Sequence, residues 1–342
     1  MGLSTNSSNS NMSFEHTGFL EHTLTNELSA EYQRFDLLSG GYIELWDTGV
    51  LHCVPAGDEA GHRVVISSGI HGNETAPMEI VDQLVADIKT GRLDLRNHLL
   101  FIVGNPPAAN LQKRFVVDNM NRLFSGDHQQ YADSPETMRA ASIEKSVEKF
   151  FSIDDLPRLH YDLHTAIRGS EFEKFAVYPY RHDGRWSRPQ LGFLEGCGIQ
   201  AVLLSNKPST TFSYFTAETF KADSFTVELG SVRPFGQNDM SRFSRVSNGL
   251  ARLIENTERF SAAPKSILCF AVLEEVIKQS DAFELHIPDD AKNFTQYPRG
   301  TVLASDAGYE YKTQQDGERF VFPIKNVPIG NRAMLVVAPT EI

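Results

Sequence analysis

Apolar positions recur along most of the chain with two different periods. Continuous apolar runs at residues 64–66 and 99–103 predict buried strands of a parallel sheet, and residues 75–89 between them follow the period of an α-helix. Residues 41–46 and 49–54 predict an earlier β-hairpin. Strand, helix and strand in this order predict an α/β fold.

The same alternation continues to about residue 260. Residues 134–151 begin with Ser-Pro-Glu, a typical helix start, and residues 240–260 also have helical spacing. Short strands are predicted between these helices, at residues 158–164, 175–178, 201–204 and 224–229.

The pattern changes after Pro264. From there short apolar segments are separated by Pro, Gly and Asp, which predicts a small β domain. We therefore expect a flexible polar tail at residues 1–13, an α/β domain at 14–262 and a small β-rich domain at 263–342.

Charge, cysteine spacing and the apolar segments argue against some classes of partner and location. The formal charge of −12, with no basic run, argues against nucleic acid or an anionic membrane as partner. The three cysteines are far apart and form no Cys-x-x-Cys pair, which fits a reducing compartment. The N-terminus has no secretory signal pattern, and no apolar run is long enough to span a bilayer. A cytoplasmic protein with a small-molecule partner is expected.

Three polar residues lie at or just after the carboxyl ends of predicted strands. His71 and Glu74 follow the run at 64–66, and His164 ends another strand. Strand ends of this kind meet at one edge of an open α/β sheet, and two His with one Glu form a catalytic zinc set that leaves a position for water. His-x-x-Glu alone is common by chance, and Glu74 could simply favour a helix N-terminus. All three residues together favour a zinc site.

Four further residues suggest catalysis. Glu228 ends another strand and would act as a general base and acid, or else would cap a following turn. The long polar loop at 108–126 carries Arg114, Asn121 and Arg122, which could stabilise an oxyanion and bind a carboxylate. The alternative for these arginines is a solvated surface position or a surface ion pair.

Several ordered motifs resemble the succinylglutamate desuccinylase and aspartoacylase family, one of the zinc carboxypeptidase-like groups. They are GIHGNE at 69–74, GNP at 104–106, Arg114, NRLFSG at 121–126, DLH at 162–164 and VELG at 227–230. The resemblance extends from about residue 42 to 260. The RLFSG phrase and VPIGNRA at 327–333 are most similar to the desuccinylase branch.

The resemblance implies a zinc carboxypeptidase-like mixed sheet flanked by helices, with a small C-terminal β domain. It implies one Zn²⁺ per subunit, and it assigns the following roles: zinc ligands His71, Glu74 and His164; general base and acid Glu228; oxyanion stabiliser Arg114; α-carboxylate ligands Asn121 and Arg122.

The implied reaction is hydrolysis of N-succinyl-L-glutamate to succinate and L-glutamate, the last step of arginine breakdown by the succinyltransferase route. An aspartoacylase-like deacylase of other N-acyl amino acids would share every residue named. A metallocarboxypeptidase fits less well, because the 90 positions between Glu74 and His164 are few for that pattern. A non-catalytic zinc or dicarboxylate-binding module would be expected to lack Glu228.

One motif departs from the family. The family usually has Asp-Leu-Asn-Arg in the loop, whereas this chain has Asn119 in the place of the Asp. The usual Asp resembles a partner of a zinc-bound imidazole, which raises the basicity of that ligand. We therefore expect a somewhat weaker affinity for zinc than in relatives with Asp.

Some roles stay open at the level of the sequence. Lys221, Arg168 and Arg233 are near the motifs and could each bind the succinyl carboxylate. Tyr309 and Tyr311 could reach the site or merely pack. The oligomeric state is also open.

Overall fold

The computed structural model describes residues 13–57, 61–258, 260 and 263–342. The strands are β1 (Gln33–Asp36), β2 (Tyr42–Asp47), β3 (Val50–Val54), β4 (Arg63–Ser68), β5 (His98–Val103), β6 (Arg158–Ala166), β7 (Phe175–Tyr178), β8 (Ala201–Leu204), β9 (Asp223–Ser231), β10 (Leu268–Ile277), β11 (Glu284–Leu285), β12 (Val302–Asp306), β13 (Tyr309–Lys312), β14 (Arg319–Val321) and β15 (Arg332–Thr340).

The α-helices are α1 (Phe19–Thr25), α2 (Thr75–Lys89), α3 (Pro106–Asn110), α4 (Pro135–Phe151), α5 (Arg188–Gly196), α6 (Phe212–Phe220) and α7 (Ser244–Ile254). Short 3-10 helices lie at Phe14–His16, Met120–Arg122, Asp127–Gln130 and Met240–Phe243.

A 12-stranded mixed sheet runs through the molecule in the order β1-β2-β3-β5-β4-β6-β9-β7-β8-β10-β15-β14. Its centre is parallel, because β4 pairs in parallel with β5 and β6, and β6 with β9. Every residue of β4 is buried, as its continuous apolar run predicts for a central strand. The predicted α/β class and hairpin are confirmed.

Helices cover both faces of the sheet. On one face α2, α5 and α7 pack through one core cluster, with α2 contributing Ile80, Val81 and Leu84. On the other face α4 and α6 pack through a second cluster, to which α4 contributes Ile143 and Val147. Because both faces are covered, the carboxyl ends of the parallel strands are the open place for a site.

The C-terminal β segment is present, and most of it continues the large sheet. β10 pairs in parallel with β8 and antiparallel with β15, which in turn pairs with β14. Only β11, β12 and β13 form a separate three-stranded sheet among the described residues. The boundary at 262/263 stays a prediction, and the predicted tail lies, except for Ser13, outside the described residues.

Some helices were not predicted, among them α3, which overlaps the start of the predicted loop at 108–126, and one predicted helix is shorter than expected. The predicted helix at 240–260 consists of a 3-10 turn followed by α7, which ends at Ile254. The sequence pattern did not indicate α5 or α6. In α6 the first six residues are all buried, so no amphipathic period marks it as a helix.

Cys53, Cys197 and Cys269 are free and buried. Within the described part of the chain, no helix has the length and apolar character that a bilayer span requires.

Candidate functional site

The loop between β4 and α2 presents His71 and Glu74. It is held down by Gly72, whose N–H donates to the carbonyl oxygen of Arg114 at 3.0 Å. A Cβ atom at Gly72 would lie 2.2 Å from backbone atoms of Ala108 and Ala109, so the approach of this loop to α3 requires glycine. The glycine that follows His71 in the motif is therefore required for steric reasons.

Three buried side chains converge at the carboxyl ends of β4 and β6. His71 Nδ1 lies 2.8 Å from Glu74 Oε1, and His164 Nδ1 lies 2.9 Å from Glu74 Oε2. One possible ligand atom from each residue lies within 4.8 Å of the others. The three residues predicted as a metal set are thus brought together.

The electrostatics of this group favour a cation. Although burial opposes the charged imidazole, the carboxylates of Asp162 and Glu74 raise the pKa of His164 well above its ordinary value. Burial lowers the pKa of His71, which keeps that ring neutral and able to ligate. Burial also opposes ionisation of Glu74, but the two histidines hold its pKa well below the usual range.

Each histidine is oriented by a hydrogen bond on its far nitrogen. Asn119 Oδ1 lies 3.0 Å from His71 Nε2, and Asp162 Oδ2 lies 2.8 Å from His164 Nε2. With a metal ion at the site, such partners would hold the ring hydrogen on Nε2 and leave the lone pair of Nδ1 for the metal. Asn119 therefore occupies the position that the family motif suggested.

A buried chain of side chains supports Asp162. Ser67 donates to Asp162 Oδ1 at 2.5 Å and lies 2.8 Å from His160 Nε2. His160 Nδ1 lies 2.8 Å from the hydroxyl of Thr216, which is 2.9 Å from that of Ser224. Since the Ser67 hydrogen goes to the carboxylate, His160 must donate to Ser67 from Nε2. The Thr216 hydroxyl donates to the carbonyl oxygen of Ser213 at 3.0 Å, so the part of the chain that is directed towards Asp162 runs from His160 through Ser67.

Glu228 lies beside the metal group. It pairs with His164 across β6 and β9 and is buried, and no hydrogen-bond partner of its Oε2 is found within the described chain. Burial raises the pKa of Glu228 to about 7. A carboxyl with this pKa can both accept and return a proton near neutral pH.

Arg114 reaches the same place from the long loop. Its Nη1 donates to Glu74 Oε1 at 2.7 Å, and its side chain is about one third exposed. A guanidinium here lies next to the candidate metal ligands and can approach a carbonyl oxygen held there. Its role at an oxyanion stays a prediction.

Asn121 and Arg122 line a cavity of about 760 Å³ that also contains the metal group and Glu228. The side-chain oxygen of Asn121 accepts from the backbone N–H of Phe212 at 2.9 Å, so its NH₂ group is left to bind a ligand. Enclosure and the nearby charges of Arg332 and Arg114 lower the pKa of Arg122 to about 10.

Only one of the three basic residues left open by the sequence lines this cavity. Arg168 does, but its Nη1 donates to the carbonyl oxygens of Pro288 and Ala291. Among the described residues of the cavity wall, neither Lys221 nor Arg233 is present. Lys221 directly follows α6 and donates to a backbone oxygen of that helix.

The two tyrosines pack away from the cavity. The Tyr309 hydroxyl donates to Glu274 at 3.0 Å, and the buried Tyr311 donates to Glu318 at 3.0 Å. Two residues of the site were not assigned roles from the sequence. Asp162 could have been found, because it precedes His164 by two positions and so shares its face of the strand. Arg332 comes from the distant β15; it lies in the VPIGNRA motif, but that motif alone gave it no role.

Comparison with known proteins gives two family matches. Residues 60–254 match the family model described as the succinylglutamate desuccinylase/aspartoacylase catalytic domain. Residues 265–340 match the AstE/AspA barrel-sandwich hybrid domain.

Individual relatives are similar over nearly the whole chain. A succinylglutamate desuccinylase of Pseudoalteromonas atlantica is 48% identical over 317 residues, covering 90% of each chain. That of Shewanella pealeana is 43% identical, covering 94% of this chain and 96% of the relative. The crystal structure of the Vibrio parahaemolyticus enzyme superimposes with a TM-score of 0.88 at 34% identity, covering 95% of this chain and 96% of that one.

Proposed function

Because the chain belongs to the succinylglutamate desuccinylase/aspartoacylase family, we propose that it is a zinc-dependent hydrolase that cleaves N-succinyl-L-glutamate to succinate and L-glutamate. The observation that carries the chemistry is the placement of Glu228 beside the buried group of His71, Glu74 and His164. The substrate is supported by the names of relatives that match over most of their length.

The residues fit a zinc ion. Two imidazole nitrogens and one carboxylate oxygen are a donor set of catalytic zinc sites. Although Glu74 Oε1 lies 2.8 Å away, the buried His71 Nδ1 makes no hydrogen bond of normal geometry among the described residues, as expected of an atom that serves as a metal ligand. Zinc, when bound, would polarise the amide carbonyl and make water more acidic. Asn119 and Asp162 would orient the two imidazole ligands.

The side chains of the cavity account for the proton transfers. Glu228 takes a proton from the attacking water as the new C–O bond forms, and it gives the proton to the amide nitrogen as the C–N bond breaks. Arg114, next to Glu74, donates to the oxygen on which negative charge develops. The products are a carboxylate and a free amine.

Asn121 and Arg122 are proposed to hold the α-carboxylate of the glutamate portion. The NH₂ group of Asn121 and the guanidinium of Arg122 supply donors on neighbouring positions of one cavity wall. Their hold on the amino-acid portion would place its amide near Glu228.

We further propose a cytoplasmic enzyme that performs the last step of arginine breakdown by the succinyltransferase route. The pathway follows from the substrate, and the location rests on the sequence pattern alone. The oligomeric state stays open.

The test is a comparison of substrates with the zinc-loaded protein. Amine release from N-succinyl-L-glutamate is measured beside N-acetyl-L-aspartate, N-acetyl-L-glutamate and a dipeptide. We expect a preference for the succinyl substrate of at least about 100-fold in kcat/KM, the value of one well-made charged contact. If an acetyl substrate is preferred, the protein is an aspartoacylase-like deacylase; if none reacts although zinc is bound, the catalytic proposal fails.

A further inference from the structure

The proposed substrate has more negative groups than the assigned residues can bind. N-succinyl-L-glutamate has three carboxylates, and only the α-carboxylate has partners, in Asn121 and Arg122. A second cationic subsite is needed if the cavity is to hold the whole molecule. The inference below rests on the proposed function and names this subsite.

The cavity wall contains six basic side chains, Arg114, Arg122, Arg168, Lys207, Lys325 and Arg332. Three of them are held by residues elsewhere in the chain. Arg114 is bound to Glu74 at 2.7 Å and Lys325 to Asp289 at 2.7 Å, while Arg168 donates to two backbone oxygens. Arg122 donates through Nη1 to the carbonyl oxygen of Asn121 at 2.8 Å and is already assigned to the α-carboxylate. Lys207 and Arg332 remain as possible partners of a further carboxylate.

Of Lys207 and Arg332, Arg332 has the better position for binding a carboxylate. It is half-buried at the start of β15, on the wall that Val272 and Leu335 also line. Lys207 is exposed in the loop after β8. A guanidinium can bind a carboxylate through two parallel hydrogen bonds, whereas an exposed ammonium is a solvated point charge.

The only acidic partner found for Arg332 within the described chain is loosely bound. Its Nη1 lies 3.7 Å from Glu275 Oε1, which is longer than a normal hydrogen bond. Removal from water lowers the pKa of Arg332 despite this neighbour. The charge of Arg332 also contributes to the lowered pKa of Arg122. The two guanidinium groups thus repel each other, and an anion bound near them would relieve the repulsion.

We propose that Arg332 is a substrate-binding residue that holds a second carboxylate of the substrate, one other than the α-carboxylate held at Arg122. The ligand group is a carboxylate on a flexible two-carbon arm. Such a group occurs twice in the substrate, at the end of the succinyl chain and on the glutamate side chain. Arg332 sets specificity for a dicarboxylic portion and takes no part in proton transfer.

The test compares Arg332→Gln with wild type on three substrates. N-Butyryl-L-glutamate lacks the acyl-chain carboxylate, and N-succinyl-L-norvaline lacks the side-chain carboxylate. On N-succinyl-L-glutamate we expect kcat/KM of the variant to fall by about 10- to 100-fold, mainly through KM, as for loss of a charged hydrogen bond. On the analogue that lacks the partner carboxylate, variant and wild type should differ by less than about 3-fold.

The matched control is Lys325→Gln, which removes a basic group of the same cavity wall that already has a partner. It should change kcat/KM by less than about 3-fold, as expected for an exposed ion pair. Glu275→Gln gives a change of opposite sign. Without its carboxylate Arg332 has no competing partner, so KM for N-succinyl-L-glutamate should decrease.

The outcomes separate the inference from the proposed function. If wild type hydrolyses the substrate but Arg332→Gln is equally active, or loses the same factor on all three substrates, Arg332 is not a carboxylate subsite. If wild type hydrolyses none of them, the proposed function fails. Calorimetric titration of succinate and of glutarate then tests the subsite alone, and equal affinities of wild type and Arg332→Gln would overturn it.

Discussion

The amide oxygen of Asn119 lies 3.0 Å from Nε2 of His71, on the side of the ring away from Glu74. The corresponding partner of His164 is a carboxylate, that of Asp162, at 2.8 Å. The two imidazoles of the candidate metal site are therefore oriented by one neutral and one charged acceptor. A charged acceptor makes an imidazole a stronger ligand than a neutral one does.

This asymmetry predicts opposite effects of two matched substitutions on zinc affinity. Asn119→Asp should raise the affinity, because it adds a charge while keeping the oxygen that also accepts from the N–H of Asn121. Asp162→Asn should lower it by about 10- to 100-fold, the usual effect of losing such a partner. Competition with a chelator of known affinity measures both. Equal affinities of wild type and Asn119→Asp would contradict the role given to Asn119.

The buried chain behind Asp162 predicts a distant effect on the metal site. Ser67→Ala removes the hydroxyl that donates to Asp162 and should weaken zinc binding by about 10-fold. The control is Ser68→Ala on the same strand, whose hydroxyl is equally buried but donates to the carbonyl oxygen of Ile102. Zinc affinity and thermal stability are measured together. If both variants lose zinc affinity equally, the loss is due to packing and not to the hydrogen bond between Ser67 and Asp162.

Replacing the proposed general base should separate binding from turnover. Glu228→Gln keeps the shape of the side chain but cannot accept a proton, so kcat should fall by about 100- to 10,000-fold. Zinc content should stay at the wild-type level, because Glu228 is not one of the grouped ligands. Rates and metal content are measured on one preparation. The surface variant Glu173→Gln, which loses only an exposed ion pair to Arg242, serves as the control.

The hairpin of β2 and β3 predicts a pH dependence of stability. Burial lowers the pKa of His52 to about 4, whereas the unfolded histidine titrates near 6.5. The unfolded state therefore binds more protons below pH 6.5, and stability should fall as the pH decreases from 6.5 towards 4. Between pH 7 and pH 5 this shift corresponds to about 1 to 2 kcal/mol of unfolding free energy.

Urea unfolding of the metal-free protein at both pH values measures this loss. In His52→Gln the loss should be smaller, while His16→Gln at an exposed position should behave as wild type. The titration of Glu44 lies outside this pH range. Burial opposes its ionisation, but hydrogen bonds from His52 and Trp46 lower its pKa to about 2. The stability that Glu44 contributes is therefore lost only below pH 4.5. An unchanged loss in His52→Gln would assign the effect to other groups.

The central elements could be predicted because their residues have one dominant environment. The β4 run is buried on both faces, and α2 has one buried stripe, so period and length were informative. The metal group could be predicted because His71, Glu74 and His164 all stand at strand ends that a parallel sheet brings together. In these cases local pattern and tertiary position agree.

Other features depend on contacts that no local pattern records. Most residues of α6 are buried, so its sequence lacks the regular polar positions that distinguish a helix from a buried strand. Arg332 lies more than a hundred positions from Arg122, and only the pairing of β10 with β8 and β15 brings its strand to the cavity. The choice among Lys221, Arg168 and Arg233 likewise required knowledge of which side chains line one wall.

The continuation of the sheet from β8 into β10 and β15 has a consequence for the order of biosynthesis. His71, Glu74, His164 and Glu228 all belong to the part of the chain that is translated before β10. The wall that contains Arg332 can pair only afterwards. On the ribosome, the proposed metal ligands and the proposed general base are therefore synthesised before the surface that we propose selects the substrate.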